Sequence, residues 1–140
     1  MYRLLFDTNF LLDFIDPDRP DSDDAVSLFK ETVSGRYDGR VAASSLKDMY
    51  YVLSKFRGES EARDWVRAFM RVLTVEEIDA EVCAIALDSD EPDYEDGCIR
   101  AIAERSQVDF IITRDEDAFA RSWVKTYSAK RFNELFGVGA

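Results

Sequence analysis

Two aspartates follow the most apolar runs of the chain. Asp7 ends the run at residues 2–6, and Asp115 comes shortly after the run VDFII at residues 108–112. Short continuous apolar runs are typical of buried parallel strands, and open α/β sheets bind their ligands beyond the carboxyl ends of such strands. If the two strands are parallel neighbours, both carboxylates face one crevice. An aspartate at a strand end can also form a turn, and for Asp7 the pattern alone leaves both roles open.

Two further acids lie near predicted helix starts. Asp48 comes three residues after Ser45, which is the spacing of a capping box, so a helix cap and a functional site are equally supported. Asp96 falls in the first turn of the helix that follows Pro92, with Ile99 three residues later on the same face. A carboxylate on a buried helix face costs several kcal/mol unless it is paired, which favours a functional role for Asp96.

Carboxylates brought together in this way predict a metal site. Several of them within ~4–6 Å of one another cannot all ionise unless a cation offsets their repulsion. Mg²⁺ and Mn²⁺ prefer oxygen ligands, and such ions polarise a phosphoryl oxygen and activate water for hydrolysis of a phosphodiester. Asp93 is a reserve candidate beside Asp96, and Asp117 is an alternative to Asp115.

Composition excludes several other kinds of chemistry. The chain has no histidine, which removes Ser-His and Cys-His nucleophile pairs and the usual zinc ligand. Its 29 acids against 18 bases give a net charge of −11, so any nucleic-acid contact must be local or bridged by metal. Cys83 and Cys98 lack metal-like spacing and sit among small apolar residues, so we expect both to be reduced core residues. Without an apparent signal peptide or membrane span, we expect a cytoplasmic protein.

Alternating apolar runs and amphipathic segments must position these acids. Strands are expected at residues 2–6, 40–43, 108–112 and 124–127, with a brief one starting at Val75. Helices are expected at 10–15, 23–34, from Ser44-Ser45 to 57, 59–74, 79–87, from Pro92 to 106, 116–120 and 128–136. This order predicts one α/β domain over residues 1–140, with three layers (α/β/α) and a mainly parallel central sheet.

The chain resembles the PIN-domain ribonucleases, which include the VapC-like toxins of toxin–antitoxin pairs. The resemblance lies in the opening strand followed by DTN, in SSLKDMYYVLSK at residues 44–55, in DYEDGCIRAIAERSQVDFIITRDEDAF at residues 93–119, and in their order. It extends over about the whole chain. The segments are individually short but jointly specific, and Gly97 stands where such proteins commonly have Ala.

The resemblance implies a catalytic cluster of Asp7, Asp48, Asp96 and Asp115. Asp7 and Asp96 would be the principal ligands of Mg²⁺ or Mn²⁺, and Asp115 would complete the metal side. Asp48 takes a position where many members have Glu. Supporting polar or substrate-contacting residues would be Thr8, Asn9, Asp93, Thr113 and Arg114, of which Arg114 is the candidate for a phosphate contact.

The resemblance also implies an RNA substrate, an antitoxin partner and a homodimer. A basic face at Arg63, Arg67 and Arg71 offers a further RNA or partner contact, although a solvated face paired with Glu59 accounts for it more simply. Two rival functions stay open. One is a PIN-like docking domain without catalysis. The other is an aspartyl-phosphate phosphatase or receiver domain, against which Asn9 stands where the phosphatase motif needs a second Asp.

Overall fold

The apolar runs form a parallel sheet. The computed structural model describes residues 1–139. Within them the strands are β1 (Arg3–Phe6), β2 (Asp38–Ala42), β3 (Thr74–Glu76), β4 (Phe110–Ile112) and β5 (Lys125–Tyr127). They lie in the order β3-β2-β1-β4-β5, and every neighbouring pair is parallel. The predicted α/β class with a mainly parallel sheet is therefore confirmed.

Helices cover both faces of this sheet. Within residues 1–139 they are α1 (Thr8–Ile15), α2 (Ser22–Val33), α3 (Ala43–Arg57), α4 (Glu59–Val72), α5 (Ala80–Asp88), α6 (Tyr94–Arg105) and α7 (Ala129–Phe136). In this part of the chain, no helix combines the length and the apolar character needed to cross a membrane.

The alternation of side chains along β1 divides the core in two. Leu4 and Phe6 point into a larger apolar cluster with α1, α2, α3, α4 and α7, whereas Leu5 points into a second cluster with α5 and α6. These are the three predicted layers. Both cysteines are free, and Cys98 is buried in the second cluster while Cys83 is half-buried.

The order of the strands fixes where a ligand can bind. The chain runs from β1 outward through β2 to β3, and then returns to place β4 on the other side of β1. Such a reversal leaves a crevice beyond the carboxyl ends of the two strands concerned. Phe6 of β1 is in register with Ile112 of β4, so Asp7 and Thr113 follow at the same level of the sheet. The expectation that these strands are parallel neighbours is confirmed.

The segment after β4 differs from its sequence-based prediction. Residues 116–120 were expected to form a short helix, which is wrong, because they form a series of turns. Phe119 has a positive φ of 66°, which a right-handed helix does not allow. A smaller difference occurs at Thr74, which opens β3 instead of ending α4.

Candidate active site

Asp7 lies at the junction between β1 and α1, where it is the N-cap of the helix. Its backbone N–H donates to the carbonyl of Ile112 at 3.1 Å, which continues the pairing of β1 with β4 by one residue. Its Oδ1 accepts from the N–H of Thr8 at 2.8 Å, and its Oδ2 accepts from the hydroxyl of Thr113 at 2.9 Å. Each carboxylate oxygen thus has one hydrogen-bond donor, so the start of α1 and the residue after β4 together set the orientation of Asp7.

Thr113 connects Asp7 to the second strand-end acid. It is buried, and its Oγ1 accepts from the backbone N–H of Asp115 at 3.2 Å while donating to Asp7. Asp115 is exposed, and its Oδ1 accepts from the N–H groups of Asp117 and Ala118, both at 3.1 Å. Asp117 therefore supports Asp115 through its backbone.

Asp96 faces the same edge of the sheet from the first turn of α6. Asp93 is the N-cap of that helix, and its Oδ2 accepts from the N–H of Asp96 at 3.1 Å. Burial raises the pKa of Asp96 to about 6, helped by the negative charges of Asp93, Asp7, Glu91 and Asp115. Asp96 is therefore close enough to both strand-end acids for their charges to oppose its ionisation.

Asp48, on α3, lies on the same crevice as Asp7 and Asp96. A crevice of about 230 Å³ is lined by Asp7, Asp48 and Asp96, and we call it the acidic crevice. Asp48 itself is exposed. The capping-box interpretation of Ser45 and Asp48 is wrong, because α3 begins at Ala43 and its N-cap, Ala42, has no side-chain bond. Ser44-Ser45 likewise lie inside the helix and do not cap it.

The remaining candidates lie around this crevice. Thr8 lines it, and Asn9 is the half-buried second residue of α1. Arg114 turns toward α1 and α2, where its guanidinium meets Asp13 at 3.4 Å and Asp21 at 3.5 Å. A phosphate contact by Arg114 stays a prediction, and it requires the guanidinium to leave these carboxylates.

The basic face of α4 is largely paired. Arg63 donates twice to the same oxygen of Glu59, at 2.7 and 3.0 Å, and Arg67 donates to Asp64 at 3.0 Å. The predicted pairing with Glu59 is confirmed. Exposed pairs of this kind contribute little to stability and open easily.

A family model for the PIN domain matches residues 3–117, which include all four acids. The chain belongs to the PIN-domain family. No curated protein sequence matches it significantly.

Solved structures similar to this PIN domain share its fold at low sequence identity. The Mycobacterium tuberculosis toxin VapC20, which cleaves the sarcin-ricin loop, has a TM-score of 0.69 at 18% identity, covering 87% of this chain and 97% of its own. FitAcB from Neisseria gonorrhoeae has a TM-score of 0.71 at 16% identity, with coverage of 91% and 98%. A toxin–antitoxin complex from Klebsiella pneumoniae has a TM-score of 0.68 at 18% identity, with coverage of 90% and 97%.

The donors of this PIN domain fit a hard divalent cation. The acidic crevice presents carboxylate oxygens, and burial together with the neighbouring negative charges raises the pKa of Asp96. Within residues 1–139, no three metal-ligating side chains lie close enough together to hold one ion. Mg²⁺ keeps several of its waters and binds proteins through one or two carboxylates, so two of these side chains would be enough to hold it. Asp7 and Asp96 are the residues that would hold it.

Sequence reasoning missed several residues around the site. Lys47 and Tyr94 line the acidic crevice beside Asp48 and Asp96, and buried Glu91 adds a negative charge near Asp96. Lys47 and Tyr94 adjoin recognised segments, so the helical positions next to the acids are the signal that could have found them. The burial of Glu91 has no such signal, because it depends on how residues 113–122 fold back.

Thr113→Val is expected to destabilise the protein by about 1–3 kcal/mol, because it leaves a carboxylate and a backbone N–H without their partner. Thr126→Val is the matched control. Thr126 lies on β5 of the same sheet, and its buried hydroxyl makes no hydrogen bond within residues 1–139. Replacing it should be neutral or stabilising. Urea unfolding measures both changes, and equal losses in the two variants would contradict the linking role of Thr113.

Proposed function

We propose that residues 1–140 form one PIN domain that acts as a metal-dependent endoribonuclease. The observation that carries this proposal is the acidic crevice, which three carboxylates from β1, α3 and α6 line at the switch point of a parallel sheet. Asp115 follows β4 at the same edge and adds its charge near Asp96. Hydrolysis of a phosphodiester through such a cluster requires no histidine.

Three of the acids have distinct parts in the proposed mechanism. A bound Mg²⁺ or Mn²⁺ would polarise the phosphoryl oxygen and lower the pKa of attacking water. Asp7, held by Thr8 and Thr113, would give a fixed ligand direction. Asp96, whose pKa is raised by burial and by the neighbouring carboxylates, would be held in its ionised form by the cation. Asp115 has one oxygen engaged by backbone N–H groups, which orients the other.

The similar structures support the substrate and the antitoxin partner that we propose. One of them is a toxin that cleaves the sarcin-ricin loop, which supports RNA as the substrate class. Another is a toxin–antitoxin complex from Klebsiella pneumoniae, which supports an antitoxin partner for this chain. A homodimer and a cytoplasmic location complete the proposal. The alternative function is a PIN-like docking domain without catalysis.

Cleavage of single-stranded RNA with and without Mn²⁺ tests this function. We expect endonucleolytic products that require Mn²⁺ and disappear with EDTA. The midpoint of thermal unfolding should also rise with Mn²⁺ concentration, because a ligand that binds only the folded state stabilises it. Absence of both effects would favour the docking domain, whereas a midpoint shift without cleavage would identify metal binding alone.

A further inference from the structure

Arg100 is one helical turn after Asp96 on α6, and its side chain is only 15% exposed. Its guanidinium contacts three segments of the chain: Asp90 Oδ1 at 2.6 Å, Glu91 Oε1 at 3.4 Å, Glu104 Oε2 at 3.0 Å and the carbonyl oxygen of Arg121 at 3.2 Å. The planar fork of arginine satisfies several acceptors at once, which lysine cannot do in this geometry. Arg100 therefore joins α6 to the loops on either side of it.

Glu91 carries this connection into the segment after β4. Its side chain is 2% exposed, and such a buried charge is tolerated only when it is paired and hydrogen-bonded. One carboxylate oxygen meets Arg100, and the other accepts from the backbone N–H of Phe119 at 3.2 Å. A buried carboxylate thus fixes one particular amide of the loop.

That amide belongs to a residue in an uncommon conformation. Phe119 has a φ of 66°, which bulky residues rarely adopt and which persists only where the surroundings impose it. Its ring is buried in the second apolar cluster. Beyond it, the hydroxyl of Ser122 donates to Glu104 at 2.6 Å and accepts from the N–H of Val124 at 3.1 Å. The loop is therefore held at Phe119, at Arg121 and at Ser122.

Asp115 lies at the start of the same loop. The N–H groups of Asp117 and Ala118 bond to its Oδ1, so the turn that leads into Phe119 is closed by the carboxylate of Asp115 itself. From this geometry we infer that Arg100 and Glu91 are positioning residues, which hold the loop of residues 113–122 against α6 and so fix the position of Asp115 after β4. The functional part of this inference rests on the proposed metal-dependent activity.

Arg100→Met tests the inference, with Arg105→Met as the matched control. Arg105 is on the same helix, but its guanidinium pairs with Asp79 and Glu81 and does not contact the loop. We expect Arg100→Met to accelerate amide hydrogen exchange at residues 117–119 at least about tenfold, because their hydrogen-bonded turn loses its anchor. The dissociation constant for Mn²⁺, measured by calorimetry, should rise about 10–100-fold.

Exchange at the amides of β1, between β2 and β4, reports global stability and separates a local effect from a general one. Arg105→Met should change both measurements by less than about threefold. If Arg100→Met does not fold, Arg100→Lys takes the place of that variant in the experiment, because lysine keeps a positive charge beside Glu91. Unchanged exchange at residues 117–119 would overturn the inference, as would faster exchange with unaltered Mn²⁺ affinity. If the unsubstituted protein binds no Mn²⁺, the proposed function fails, and the exchange data alone decide whether Arg100 holds the loop.

Discussion

Asp96→Asn should reduce Mn²⁺-dependent RNA cleavage by about 10³-fold or more and, without metal, should make the protein more stable. Loss of activity is expected because removing a carboxylate ligand forfeits several kcal/mol of transition-state stabilisation, and each 1.36 kcal/mol is a factor of ten in rate. Asp7→Asn should lose activity to a similar degree. Equal activity of either variant and the unsubstituted protein would contradict the assignment of the site.

The gain in stability follows from the raised pKa of Asp96. Its carboxyl group titrates near pH 6 in the folded protein, compared with 3.8 for an ordinary aspartate, so the folded state binds more protons between these values. The stability of the unsubstituted protein therefore falls, relative to the variant, as the pH rises from about 4 to about 6. The full difference corresponds to about 3 kcal/mol. Because Asp96 is only partly buried, solvent screening reduces it to about 1–2 kcal/mol.

Urea unfolding with EDTA at pH 8 and at pH 4 measures this effect. Asp96→Asn should be the more stable protein at pH 8, and the difference should vanish toward pH 4, where Asp96 is protonated. Saturating Mn²⁺ should reverse the order at pH 8, because only the unsubstituted protein keeps the full ligand set. Asp64→Asn, on the exposed surface of α4, is the control with the same chemical change. A difference between the proteins that does not depend on pH would rule out Asp96 ionisation as its cause.

The sequence predicts most of this fold because its apolar runs and amphipathic segments agree with their tertiary surroundings. Residues 110–112 are apolar and buried in the sheet, so the strand pattern is unambiguous there. The prediction fails at residues 116–120, where local pattern suggests a helix. Tertiary contacts decide that segment instead, since the positive φ of Phe119 depends on a buried ring and on the carboxylate of Glu91.

The same distinction applies to the site. Asp7 and Asp115 are recognisable because they end the two clearest strands, and parallel neighbours bring such positions together. Thr113 links Asp7 to Asp115 through its hydroxyl, which bonds to both residues. Because Asp7 and Thr113 are 106 residues apart, their spacing along the chain does not predict this contact. Asp13 is another example. It interrupts an apolar run of α1 and is buried, and its partners Arg19 and Arg114 come from different loops.

The second large effect on cleavage activity is expected at Asp48. Two substitutions at this position separate the effect of its charge from the effect of its side-chain length. Because Asp48 lines the acidic crevice and is exposed, Asp48→Asn should lower cleavage by about 10–100-fold while leaving stability within about 0.5 kcal/mol. Many PIN domains have Glu at this position, so Asp48→Glu should keep activity within about threefold. Steady-state kinetics at saturating Mn²⁺, with urea unfolding alongside, measures both variants.

The structure removes the main alternative for Asp48, since the N-cap position of α3 is Ala42 and the side chain of Asp48 therefore closes no capping box. A loss of activity in Asp48→Asn therefore reflects the crevice rather than a frayed helix, provided that stability is unchanged. We expect the unsubstituted protein and Asp48→Glu to have similar cleavage activity, and Asp48→Asn to have much lower activity. If Asp48→Asn were as active as the unsubstituted protein, Asp48 would be ordinary exposed surface and the site would consist of Asp7, Asp96 and Asp115. If Asp48→Glu were as impaired as Asp48→Asn, the crevice would require the shorter carboxylate at this position.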